Sequence, residues 1–380
     1  MRDQKQESIH LGYLDSLRAL AAIYVVLHHC WFNVPGLQNV TSLAHIFQWG
    51  HLAVDVFIVL SGFCLMLPVI RSGGYLRRGT WDFYKRRARR IIPPYYAATA
   101  ISLLLVATII GKPTGTHWDV ALPVTTRDVV AHILLLQDLF HDPAKINHAF
   151  WSIAVEWQIY FFFPLLIWAW RRFGAVPTTL VTILIGNIVQ HILGRSSLDD
   201  ITPWYIGLFA IGMYAAHLSF STDSISERLR VSFPWQICAC VLLATLLFIT
   251  YHHTVSNISI PKLDMLTGTT SAVVLIMLSR REQGTARRLL SWRPLVMVGT
   301  YSYSIYLIHA PLIQVIWQYV LHPLHLSIYL QFGFLATLGL AVILAIAYIF
   351  FICFERPFLT RRPHETASQT ARDAALSPAP

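Results

Sequence analysis

Residues 328–354 form an almost unbroken apolar run, and its last part, Ile343–Phe354, contains neither a charge nor a proline. A bilayer's hydrocarbon core takes roughly 20 residues of helix to cross. Lipid offers no hydrogen bonds to the backbone, so a spanning segment must be a helix or part of a closed barrel. Barrel strands alternate apolar and polar residues, and this run does not. An all-α, polytopic transmembrane bundle follows. Further apolar runs cover about 12–34, 50–70, 90–110, 149–170, 175–193, 201–218, 234–251, 263–279 and 295–318, giving about ten spans. Charged residues make up only 13% of the chain, well under the roughly 25% of a soluble protein.

The net charge of +10 is distributed unevenly between the runs. With the N-terminus inside, the cytoplasmic segments are 71–90, 171–172, 219–233, 280–293 and the tail from Glu355. They hold most of the arginines, whereas the opposite loops hold Lys112, Arg127, Lys145, Arg195 and Lys262. That is the positive-inside bias, and it predicts N-in and C-in. No basic stripe sits on a soluble domain, so no nucleic-acid partner is expected. The five cysteines all lie in apolar runs and read as small buried hydrophobes. The polar start, Met1–His10, and the charges Asp15 and Arg18 are unlike a cleavable signal. The expected division is a cytoplasmic segment 1–11, a transmembrane domain 12–358 and a disordered tail 359–380 rich in Ala, Ser and Pro.

The longest external segment, residues 111–148, contains Trp118, His132, Asp138, His141, Asp142 and His148. Its middle, 127–140, reads as an interfacial helix. The whole is either a wet loop or a lid over an externally open pocket. Its His and Asp spacings match no metal-ligand motif, and no metal is expected.

Ionisable groups inside a bilayer are costly and therefore mark candidate sites. Arg18 and His29 share the first span and one helical face, roughly 16 Å apart. Asp55 and Ser61 lie on the second span, Glu156 on the fourth and His309 on the ninth. Counting from the span ends puts Asp55, Glu156, His29 and His309 at one level in the outer half. Such a level suits a catalytic or proton-relay site; a structural hydrogen-bond network between helices is the other reading. The cytoplasmic cluster 83–93, with Lys85, Arg86, Arg87, Arg89 and Arg90, suits anionic lipid or a phosphate-rich ligand.

Several segments together resemble the acyltransferase-3 family of membrane O-acyltransferases. They are Leu14-Asp15-Ser16-Leu17-Arg18 with ten residues between Arg18 and His29; Val54-Asp55-Val56-Phe57 leading to Ser61-Gly62; Arg87-x-x-Arg90 before Pro93; Trp151-Ser152 with Glu156 and Tyr160; Tyr303-Ser304 with Tyr306 and His309; and Glu355-Arg356-Pro357. The resemblance runs from Leu14 to about Phe358. It implies ten core spans, acyl-CoA as donor from the cytoplasm, His29 as the catalytic histidine, and Arg18, Arg87 and Arg90 at the donor. Arg86 is grouped with them by position, and Ser61, Tyr160, Tyr303 and Tyr306 are supporting residues. Two departures stand out: Trp157 replaces a second acidic residue, and no hydrolase-like domain is expected after the last span.

Acyl transfer to a hydroxyl needs a base, for which His29 is the candidate, and Asp55 or Glu156 is expected to orient it. The arginines would hold the coenzyme phosphates. Direct transfer and an acyl-histidine intermediate are both compatible with these residues. The acyl group is expected to be acetyl, with succinyl as rival. The acceptor is expected to be an extracytoplasmic glycan or glycolipid, and the location a bacterial inner membrane. No permanently bound cofactor is expected. A multi-span transporter or flippase is the alternative, although no internal repeat is visible; a non-catalytic sensor or scaffold is a further one.

Overall fold

The structure is a computed structural model that describes residues 11–40, 46–139, 143–193, 201–252, 258–280 and 284–359. The tail, apart from Leu359, residues 1–10 of the N-terminal segment, and His141 and Asp142 lie outside those residues. The described chain is mostly helical. Its helices are α1 (Gly12–Asn33), α2 (His51–Arg71), α3 (Gly79–Thr108), α4 (Thr126–Leu134), α5 (Trp151–Phe173), α6 (Ala175–Leu193) and α7 (Tyr205–Phe220). They continue as α8 (Ser224–Ser232), α9 (Trp235–Tyr251), α10 (Ile260–Arg280), α11 (Thr285–Leu289), α12 (Arg293–Thr300), α13 (Ser302–Leu324) and α14 (Ile328–Phe358). No strand occurs among the described residues.

Among the described residues, seven helices are long and apolar enough to cross a membrane, and eight if the bent pair α8–α9 counts as one span. That pair turns by 71° at Phe233-Pro234, where the proline ends the first helix. The 16-residue α7 is too short for the seven, and α1, with Asp15 and Arg18, is not among them either. Both pack into the bundle, α7 between α2, α6 and α10, and α1 against α2, α12 and α13. Apolar side chains exposed on α6 (Leu180, Leu184, Ile188), α9 (Ile237, Val241, Leu247) and α14 (Leu338, Ile349) make the outer surface. A water-soluble protein rarely exposes so much contiguous apolar area; in lipid it is the expected face.

Two segments that the sequence presents as loops are helical. The basic stretch before Ile91 is the first half of α3, which runs unbroken from Gly79 with Asp82 in its first turn. Nothing between Trp81 and Ile92 breaks a helix, so the arginines continue the periodicity of the apolar half. Residues 224–232 form α8, which Asp223 caps by accepting from the Ser226 amide at 2.8 Å.

A close, reciprocal approach of two helix backbones joins α2 and α7. A Cβ added to Gly62 would collide with the Phe209 carbonyl oxygen, and one added to Gly212 with the Val59 carbonyl oxygen. Each glycine thus admits the other helix's backbone, the usual device where apolar burial alone cannot drive helices together in lipid. α2 is thereby fixed with Ser61 turned toward α5 and Asp55 toward α7 and α10.

Candidate active site

α1, α2, α3, α5 and α13 enclose a cavity of about 230 Å³. Arg18, Ser61, Cys64, Arg87, Arg90, Glu156, Tyr160, Tyr303 and Tyr306 are among its walls. Helical periodicity explains how they converge. Ser152, Glu156 and Tyr160 follow at i, i+4 and i+8 on one stripe of α5, and Tyr303 and Tyr306 at i, i+3 on α13. The polar groups bond one another. Ser61 donates to Glu156 Oε1 at 2.8 Å and meets the Tyr160 hydroxyl at 2.7 Å, while Tyr160 also donates to Glu156. Ser152 and Tyr306 join their hydroxyls at 2.7 Å, and Tyr303 donates to the Ile91 carbonyl at 3.2 Å.

The cations differ in their freedom. Arg18 donates to Asp15 at 3.0 Å and to Cys64 Sγ at 3.0 Å. The Arg87 guanidinium lies 6.0 Å over the Tyr160 ring, and its Nε is buried with no hydrogen-bond partner among the described residues. Arg87 and Leu65 also line a neighbouring cleft of about 580 Å³ with Arg77, Arg78 and Arg86. Arg86 therefore belongs to this outer cleft and pairs with Asp82 one turn earlier; it is absent from the walls of the inner cavity. Behind Arg90, Glu355 accepts from Ser304 at 2.5 Å and ties the end of α14 to α13, which accounts for the Glu-Arg-Pro segment without any place on the cavity wall.

A second constellation lies farther along α1. The His29 ring faces His28, His117, His148 and His309, with ring centres 4.8, 5.8, 4.5 and 5.1 Å away. His29 Nδ1 stands 3.2 Å from His148 Nε2. His309 directs Nδ1 at the carbonyls of Tyr306 and Ile305, at 2.8 and 3.2 Å. That contact puts the proton on Nδ1 and leaves the buried Nε2 as a bare acceptor without a partner. Tyr306 joins the two constellations, for it lines the cavity and its ring centre is 5.8 Å from that of His309.

Of the four ionisable groups expected at one level, the structure brings two together. His29 and His309 meet. Glu156 does not bond His29 and sits on the cavity wall with Ser61 and Tyr160. Asp55 is fully buried on the other side of α2, where its polar neighbours are Tyr205 and Asp264; Asp264 accepts from Trp204 Nε1 at 2.8 Å. Counting along a span gives depth but not direction around the helix, and the direction separates these carboxyls from the imidazole.

The segment expected to be external is also no wet loop. Trp118 and Gln137 are essentially inaccessible, Trp118 Nε1 donates to the Ile110 carbonyl at 3.0 Å, and Thr116 donates to Gln314 at 2.8 Å. The interfacial helix expected over 127–140 is the shorter α4, opened by a capping box of Thr125 and Asp128. Asn147 donates to the Leu307 carbonyl at 3.0 Å and accepts from the Ala149 amide at 3.1 Å, which fixes His148 against His29. Burial holds the His117 imidazole below its ordinary range, and burial followed by the neighbouring histidines holds His148 well below it. His117 carries no signal in the sequence, and His148 is visible there only as one polar residue among several in its segment.

The family model of an acyltransferase domain matches residues 11–352. The chain belongs to this acyltransferase family. Its similar proteins include the putative peptidoglycan O-acetyltransferase YrhL of Bacillus subtilis, 25% identical over 82% of this chain and 50% of the relative. The O-acetyltransferase OatA of Staphylococcus aureus is 26% identical over 82% of this chain and 52% of its own. The peptidoglycan O-acetyltransferase OatA of Listeria monocytogenes is 25% identical over 79% and 49%. The chain thus spans about half the length of the curated relatives it matches. No solved structure matches it.

Proposed function

We propose that this acyltransferase moves an acetyl group from acetyl-CoA, bound from the cytoplasm, to a hydroxyl of a glycan or lipid-linked sugar outside the inner membrane. The observation that carries the reading is one continuous wall. Arg18, Arg87 and Arg90 line a cavity whose Tyr306 touches His309, and His309 faces His29. The unpartnered Arg87 Nε at the junction with the outer cleft is a charge-assisted donor awaiting an anion, which suits a coenzyme phosphate. The slender pantetheine arm would fill the cavity toward Tyr306. The acceptor comes from the His117 side, and the peptidoglycan named for the relatives is a glycan of the kind proposed.

In direct transfer His29 takes the proton from the acceptor hydroxyl as its oxygen bonds to the thioester carbonyl carbon. The carbon–sulfur bond then breaks, and the imidazolium returns the proton to the departing thiolate, leaving an ester and free coenzyme A. With no carboxylate at the imidazole among the described residues, His148 Nε2 takes over the orienting task by accepting from His29 Nδ1, so that Nε2 of His29 is the base. Glu156, Ser61 and Tyr160 position the wall that holds the acyl donor, and Asp55 belongs to the packing of α2.

Membranes carrying the protein should consume labelled acetyl-CoA and gain label in surface polysaccharide. His29→Ala at wild-type protein level should lose about 10²–10⁴-fold of that rate. Undiminished transfer by this variant would overturn the role of His29, and labelled acceptor without acetyl-CoA consumption would overturn the donor.

A further inference from the structure

One ring nitrogen from each of His29, His117 and His148 can be chosen so that the three lie within 4.8 Å of one another. The shortest separation, 3.2 Å between His29 and His148, is close to a ligand–ligand edge of about 3.3 Å in a tetrahedral zinc site with bonds of roughly 2.0–2.1 Å. Two imidazoles share only one hydrogen bond, and His148 Nδ1 is buried without a partner among the described residues. Among the described residues no carboxylate joins the three-ring group. Imidazoles without carboxylates suit zinc and other first-row transition ions, not calcium or magnesium. His29 and His117 are partly exposed, which leaves a fourth coordination position open to water or an anion.

We infer that His29, His117 and His148 form a three-imidazole site for a zinc-like divalent cation, and that filling it withdraws His29 from proton transfer. Binding stands on geometry alone; inhibition rests on the proposed role of His29. A cation bound at His29 Nδ1 moves the ring's single proton to Nε2, the nitrogen proposed as the base, so metal and acceptor proton compete for one ring.

The test uses the full chain in detergent or nanodiscs, with cobalt(II) as the spectroscopic probe. Cobalt should bind with one equivalent and give a visible absorption of tetrahedral type. Zinc should displace it and lower acetyl transfer at least tenfold, and a chelator should restore the rate. His117→Gln, or His117→Asn should the first variant fold poorly, should lose both the cobalt absorption and the zinc sensitivity of its own acetyl transfer. Absence of stoichiometric cobalt binding to the wild-type protein would overturn the site. Undiminished zinc inhibition in a folded His117 variant would do the same, and activation by zinc would overturn the inhibition. Cobalt binding together with full activity of His29→Gln would leave the site standing and remove the proton-transfer role instead. Failure of cobalt to bind while His29→Gln is inactive would remove the site and leave the proton-transfer role standing.

Discussion

An imidazole held by another imidazole is oriented but not stabilised in its charged form, and this distinguishes His29 from a histidine backed by a carboxylate. The distinction has kinetic consequences. His148→Ala should lower kcat by roughly 10–100-fold, less than the loss at His29 itself, with the acetyl-CoA KM nearly unchanged; steady-state kinetics on both substrates reads the difference. At the other end of the wall, Arg87→Ala should raise the acetyl-CoA KM by about 10–100-fold, the range of a lost charge-assisted hydrogen bond. Arg86→Ala, which removes a half-exposed group already paired with Asp82, should change it little. Motif spacing in the sequence singles out Arg18, Arg87, Arg90 and His29. It misses His117, and it draws Asp55 and Glu156 to the imidazole because residue types are visible in a sequence while azimuths are not.

Helices are legible where lipid or a neighbouring helix demands an apolar stripe, and less so where helix continues into water. The basic half of α3 reads as a loop because its arginines look like span-flanking charge, although the backbone has no reason to stop there. The contact between α2 and α7 is written in Ser61-Gly62, yet only the structure supplies the reciprocal Gly212. Gly62→Ala and Gly212→Ala should each destabilise the detergent-solubilised protein by about 1–3 kcal/mol, the cost of overpacking a close contact. Gly333→Ala, with no atom near its added methyl group, is the neutral control. Thermal unfolding of the three variants measures this directly.

For the whole molecule, the charge bias predicts which way the bundle faces. The outer cleft with Arg77, Arg78 and Arg86 should open to the cytoplasm, and the His117 end to the opposite side. In a cysteine-free background, an impermeant thiol reagent applied outside intact cells should label Asp119→Cys and spare Arg78→Cys; the opposite pattern would invert the assignment. Family membership covers nearly the whole chain, whereas the relatives are about twice their matched length. The acceptor is therefore best sought through the chemistry of products made by this chain itself.

α1 carries both Arg18 on the cavity wall and His29 among the imidazoles, so the two ends of the proposed reaction path are joined by one rigid screw. Insertion of a single alanine between them would raise the imidazole by only about 1.5 Å but swing it through about 100°. Insertion of four residues would nearly restore the bearing while adding about 6 Å of travel. Alignment of the acyl donor with the base is thus a matter of pitch and phase, set by the number of residues between an arginine and a histidine.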